Sequence, residues 1–310
     1  MSAEAAVANT GAFAGLWAWL DDRVNPILVK EVRQALRGRY FRNMFWLTVV
    51  GATAISLFTI LEFGPNFFLE RLGVAFFLAN YGVMVVAVNA FVPFWAFQSM
   101  SGEWEENTYD LLVISNLRPK QLLLGKALAA GVQSLLFFAA FAPYLVSTFL
   151  MGGVDLVSIL VVLPATLMVS GALSIVALAI ASFGRSRLAR AILAVCFIGI
   201  LLGLVGMTIT AATVLIRQPE YIRATEFGIV AGVFASMVVL TASLALAVGC
   251  ARLAHEHENR STFLRVITAA ISVVMLGWAV QLFFGPSPDS DVLWVMPGTT
   301  QIIVILPFLF

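Results

Sequence analysis

An all-α, polytopic bundle of membrane-spanning helices is the fold this chain predicts, and three observations predict it. Of 310 residues, 61% are hydrophobic and only 11% charged, against roughly 45–50% and 25% in soluble domains. Apolar runs long enough to cross a ~30 Å hydrocarbon layer recur at 44–62, 72–99, 124–150, 156–183, 190–216, 226–251 and 266–284. The charged residues gather between those runs. This pattern excludes a water-soluble globule, and it replaces the two domains that length alone suggests with one continuous bundle of seven spans. The net charge of +1 gives no reason to expect a nucleic-acid partner.

The first segment, 1–24, is expected to be a cytoplasmic tail. It carries Glu4 and neither Lys nor Arg in its first twenty residues, so the basic start of a secretory signal is not read there. Next, over 25–42, "NPILVKEVRQALRGRYFRN" opens with Asn25 as N-cap and Pro26 at the first helical position, a helix-start signature. Lys30, Arg33, Gln34 and Arg37 share one face of this helix; Leu28, Val32, Ala35 and Leu36 line another. The expectation is an interfacial helix whose basic face meets lipid phosphates.

Sidedness follows from the positive charges. Of 18 Lys and Arg, only Arg71, Arg217 and Arg223 fall on the side opposite the N-terminus, which places the N-terminus in the cytoplasm. The cytoplasmic segments are then 1–43, 100–123, 184–190 and 252–265. Within the spans, Pro93, Pro143 and Pro164 are expected to kink helices. The pairs Gly199 with Gly203 and Gly228 with Gly232 put small residues four apart, a spacing that lets helices pack closely, here within the chain.

Between spans two and three, "SGEWEENTYDLLVISNLRPKQLLLGK" sets Glu103, Glu105, Glu106 and Asp110 within eight residues. Asn107 or Thr108 caps a short helix there, the acids suit the positive end of its dipole, and Pro119 starts the next helix. The product is a helix of about two turns over 107–115, too short to stand alone. Its apolar residues Tyr109, Leu112 and Val113 need burial, and a groove on a partner protein supplies it without setting carboxylates against anionic lipid.

Catalytic and metal-binding patterns are not read in the chain. All 17 Asp and Glu are assigned to loops, helix ends or the N-terminal region, which disfavours ion-coupled pumps and intramembrane enzymes, since these place ionisable groups at membrane depth. His255 and His257 in "HEHEN" are two apart and do not share a helix face. Cys196 and Cys250 lie in or at the end of apolar runs and read as small hydrophobes. No phosphate-cradling GxxxxGK[ST] is present. Any ATP must therefore be held by another chain. After span seven, the Pro-Gly break and final apolar stretch read either as a re-entrant or surface segment or, by preference, as the cut end of a longer protein.

These elements resemble the membrane subunit of a type 2 ABC transporter, the exporter-like permease class. The resemblance rests on "NPILVKEVRQALRGRYF", "GEWEENTYDLLVISNLRPKQLLLGKALAA" and "FFAAFAPYLVSTFLMGG", and it covers about residues 25–251. The family's acidic stretch, leucines and Leu-Gly-Lys match at Glu103, Glu105, Asn107, Thr108, Leu111, Leu112, Leu124, Gly125 and Lys126. Asn107 stands where Gly is common, and an N-cap accepts either.

The resemblance implies a non-enzymatic permease without a cofactor of its own. Its six-span core would occupy 43–251, with 252–310 supplying one or two further spans. Its partners would be a cytoplasmic ABC ATPase subunit that binds the ATP, a second permease copy or homologue, and membrane lipid. Glu103, Glu105, Glu106, Asn107, Thr108, Tyr109, Asp110, Leu111 and Leu112 would couple to the ATPase. Lys30, Arg33 and Arg37 would anchor the interfacial helix. A hydrophobic or amphipathic cargo and the bacterial cytoplasmic membrane complete the expectation. The alternative is a membrane scaffold or assembly factor whose acidic loop docks a partner that is not an ATPase.

Overall fold

The computed structural model describes residues 26–63, 71–105, 119–152, 154–184, 186–224, 227–253 and 260–284. Nearly all of them are helical. In chain order the helices are α1 (Pro26–Arg37), α2 (Arg39–Phe63), α3 (Arg71–Val86), a π-helical turn (Ala87–Phe91), α4 (Val92–Glu105), α5 (Pro119–Met151), α6 (Leu156–Ala181), α7 (Arg187–Arg217), the one-turn α8 (Glu220–Arg223), α9 (Phe227–Leu253) and α10 (Arg260–Phe284).

Six helices among the described residues are long and apolar enough to cross a membrane: α2, α3 through α4 as one, α5, α6, α7 and α9. The chain is a multi-pass helical membrane protein. The seventh predicted span is also a helix, α10, of 25 residues, and its apolar stretch covers Leu264–Trp278 among the described residues. The N-terminal tail 1–24, Asn25, the loop holding His255 and His257, and the segment 285–310 lie outside the described residues.

Helix α6 is the centre of the bundle and packs against α4, α5, α7 and α9. Its buried residues alternate in type: small hydroxyls at Ser158, Thr166, Ser170 and Ser174, and apolar Leu173, Ala177 and Leu178. Small side chains let neighbouring backbones approach, and their hydroxyls bond across the gap. Around α6 the core is built from Phe77, Tyr81, Met84, Phe97, Phe137, Phe141 and Phe197. The rings of Phe97 and Phe197 stack 5.7 Å apart and join α4 to α7. The outer faces carry Trp46, Leu57, Leu188, Val195, Leu202 and Val273 in the open, as expected of surfaces that meet lipid.

Proline shapes span two in a particular way. Pro143 and Pro164 lie inside continuous helices, α5 and α6. Ahead of Pro93, however, the chain widens into the π turn, in which the Val92 N–H bonds the Ala87 carbonyl. In that five-residue register the Val88 carbonyl would look to position 93, and proline has no N–H to give. The Ser170 hydroxyl of α6 donates to the Val88 oxygen instead, at 2.9 Å. An apolar surrounding demands such a replacement, because a carbonyl without a donor has no water to turn to.

The predicted glycine pairs divide. A side chain at Gly232 would meet the Trp278 ring at 3.0 Å, so this glycine does pack α9 on α10. Gly199 and Gly203 have nothing within 4 Å of such a side chain and are exposed on α7. The close intrachain packing expected of that pair is absent among the described residues. A contact missed in the sequence lies at the far end of the bundle: Gly73 of α3 faces the Gly152 carbonyl, and Gly152 adopts φ 80, a conformation few L side chains tolerate.

Candidate functional site

The site begins with the amphipathic α1. Lys30, Arg33, Gln34 and Arg37 are exposed, and Arg39 and Arg42 extend the same open basic surface into α2. Ala35 is buried and Leu28 and Val32 are partly covered, whereas Leu36, expected on the apolar face, is 41% exposed. The covered face packs against α5. Glu31 lies on it too, one turn from both Leu28 and Ala35, so a carboxylate is carried into the contact.

Its partner is Lys126, two turns into α5. Lys126 Nζ donates to Glu31 Oε1 at 2.9 Å and lies 3.2 Å from Glu103 Oε1 at the end of α4. It also donates to the Ser99 carbonyl at 3.4 Å. The lysine side chain is 2% exposed and the two glutamates 13% each. One buried cation thus gathers α1, the end of α4 and the start of α5.

Glu31 and Glu103 lie where the sequence assigned the acids, in the N-terminal helix and at a helix end; their convergence on one lysine is what the sequence did not show. Three segments are held at one point.

Of the residues expected to couple to a partner, Glu103 belongs to this cluster and Glu105 closes α4. Glu106, Asn107, Thr108, Tyr109, Asp110, Leu111 and Leu112, with the helix expected over 107–115, lie outside the described residues. Helix α4 leads into that segment and α5 leads out of it. The cluster therefore sits at its two roots.

A second polar system runs through the interior. Ser56 donates to Asn80 at 3.1 Å, Tyr81 and Thr166 hydroxyls meet at 2.7 Å, and Ser134 and Ser170 hydroxyls meet at 2.9 Å. Since Ser170 spends its single proton on Val88, Ser134 is the donor of the last pair. Asn89, in the π turn, is fully buried, and its amide has no hydrogen-bond partner among the described residues. The sequence signal for this system was weak: serine and threonine inside spans are common, and only the neighbouring Asn89 and Pro93 marked the place. At the opposite end of the bundle, Arg223 bonds Asp155 at 3.2 Å. That pair is too open to contribute more than about 1 kcal/mol.

Fold and site together define a polytopic helical membrane protein whose amphipathic helix α1 is tied by ion pairs to two of its long apolar helices. No family model, curated protein or solved structure matches the chain.

Proposed function

We infer that the chain is the permease subunit of a type 2 ABC transporter, seated in a bacterial cytoplasmic membrane with its N-terminus in the cytoplasm. One observation carries the reading: Lys126 binds Glu31 and Glu103, and so ties the interfacial helix to both roots of the acidic segment 106–118. A permease of this class needs that joint. A cytoplasmic ATPase pushing on a short helix at 107–115 moves spans two and three only if their near ends are stiff. The ion cluster supplies the stiffness, and long helices carry the displacement across the membrane. Lys30, Arg33 and Arg37, exposed on α1, hold the joint against anionic headgroups.

In this reading the chain acts with a second permease copy or homologue and two ATPase subunits, and it exports a hydrophobic or amphipathic cargo. The test is co-purification with the ATPase encoded beside it, together with ATP-dependent uptake of a fluorescent amphiphile into inside-out vesicles. Tyr109→Asp with Leu112→Asp is expected to abolish both. Survival of both in the double variant would sink the coupling assignment, and capture of a partner without ATPase activity would favour the scaffold.

A further inference from the structure

A cavity of about 510 Å³ opens between the start of α2, the π turn with α4, and the middle of α5. Of its ten described lining residues six are aromatic and none is charged, so it favours flat apolar surface over an ion. Tyr40 and Trp95 face each other across the α2–α4 contact, ring centres 5.8 Å apart. Tyr40 and Gln98 are exposed and mark the mouth, while Phe137 and Gln133 are buried and form the inner wall. Gln133 is 4% exposed and is the polar side chain of the inner wall. An amide in a cavity wall offers a ligand both N–H donors and a carbonyl acceptor amid otherwise apolar surface.

We propose that this cavity is a binding site for an uncharged, ring-containing amphiphile, with its flat apolar rings between Tyr40, Trp95 and Phe137 and one hydroxyl or carbonyl on Gln133. The volume suits a ligand of drug-like size. A rigid ring system is favoured over an acyl chain of equal area, because the chain loses rotational freedom on entering and the rings do not. Offset and edge contacts with the aromatic walls add to the preference. The site lies within one chain and does not depend on the permease reading.

The test uses the full chain in lipid nanodiscs with 9-anthracenemethanol, a neutral three-ring alcohol that accepts energy from tryptophan. Saturable transfer above that of lipid partitioning is expected, with Trp95→Phe removing most of it. Gln133→Leu is expected to raise Kd about tenfold, the loss of one buried hydrogen bond, while leaving the helical melting temperature unlowered. Met44→Trp, which fills the cavity from α2, is expected to abolish saturable binding. The anthracene carboxylate and oleyl alcohol should compete at least tenfold more weakly than the neutral ring alcohol. Transfer that rises linearly without saturating, or saturable binding that survives both Gln133→Leu and Met44→Trp, would overturn the site. Equal competition by oleyl alcohol would overturn the ring preference.

Discussion

Replacing Lys126 with methionine isolates the charge from the packing, since the two side chains have similar length and the apolar stem is kept. At 2.9 and 3.2 Å from its carboxylates, and with an effective dielectric of ~20, each attraction is on the order of 5 kcal/mol before desolvation. Desolvating a lysine 2% exposed offsets much of that gain. What decides the outcome is the state left behind: Glu31 and Glu103, each 13% exposed, without this cation. Breaking a buried pair in this way costs about 3–5 kcal/mol, whereas removing all the charges together is often nearly neutral. Lys126→Met should therefore lower equilibrium stability in mixed micelles, followed by helical circular dichroism, by about 3–5 kcal/mol. The triple variant with Glu31→Gln and Glu103→Gln should recover to within about 1–2 kcal/mol of the parent. Hydrogen exchange should rise across Pro26–Arg37 in the single variant and fall back in the triple. If Lys126→Met is as stable as the parent, or if the triple variant is no better than the single, the cluster does not hold the three elements by charge.

Two further perturbations probe the interior. Asn89→Leu removes a fully buried amide that has no partner among the described residues and keeps its volume, so it should stabilise the bundle by about 1–3 kcal/mol; a loss of stability would reveal a partner for that amide. Gly73→Ala drives a methyl into the Gly152 carbonyl and should cost about 1–3 kcal/mol by overpacking. In the same helix, Gly82→Ala meets nothing within 4 Å and should stabilise by up to about 1 kcal/mol; equal responses at the two glycines would refute the close approach.

The legible part of this protein was the part written in long-period hydropathy. Apolar runs at 44–62 and 156–183 became α2 and α6 within a few residues because a span must reach across a fixed thickness, and composition alone encodes that reach. The amphipathic α1 was readable for the same reason, down to the open face of Lys30, Arg33 and Arg37. The ionic cluster was harder. Its signals were a glutamate on the apolar face of α1 and a lysine inside "LLLGKALAA", each an oddity in its own segment. That they answer one another depends on α1 folding back onto α5, a pairing 95 residues apart in sequence that no local pattern contains. The π turn was hidden similarly. Pro93 announced an irregularity, but Ser170, which completes the turn, comes from another helix.

The π turn also acts as a phase setter for everything that follows it in span two. It holds one residue more than an α-helical register would, and one residue corresponds to about 100° of rotation about the helix axis. Trp95 faces the aromatic cavity and Glu103 faces Lys126 because α4 leaves the turn at that angle. Shortening Ala87–Phe91 by a residue would swing both away from their partners while leaving each of those residues untouched. The aim of two side chains on the α1 half of the bundle is thus decided by a local count of residues upstream in the same span.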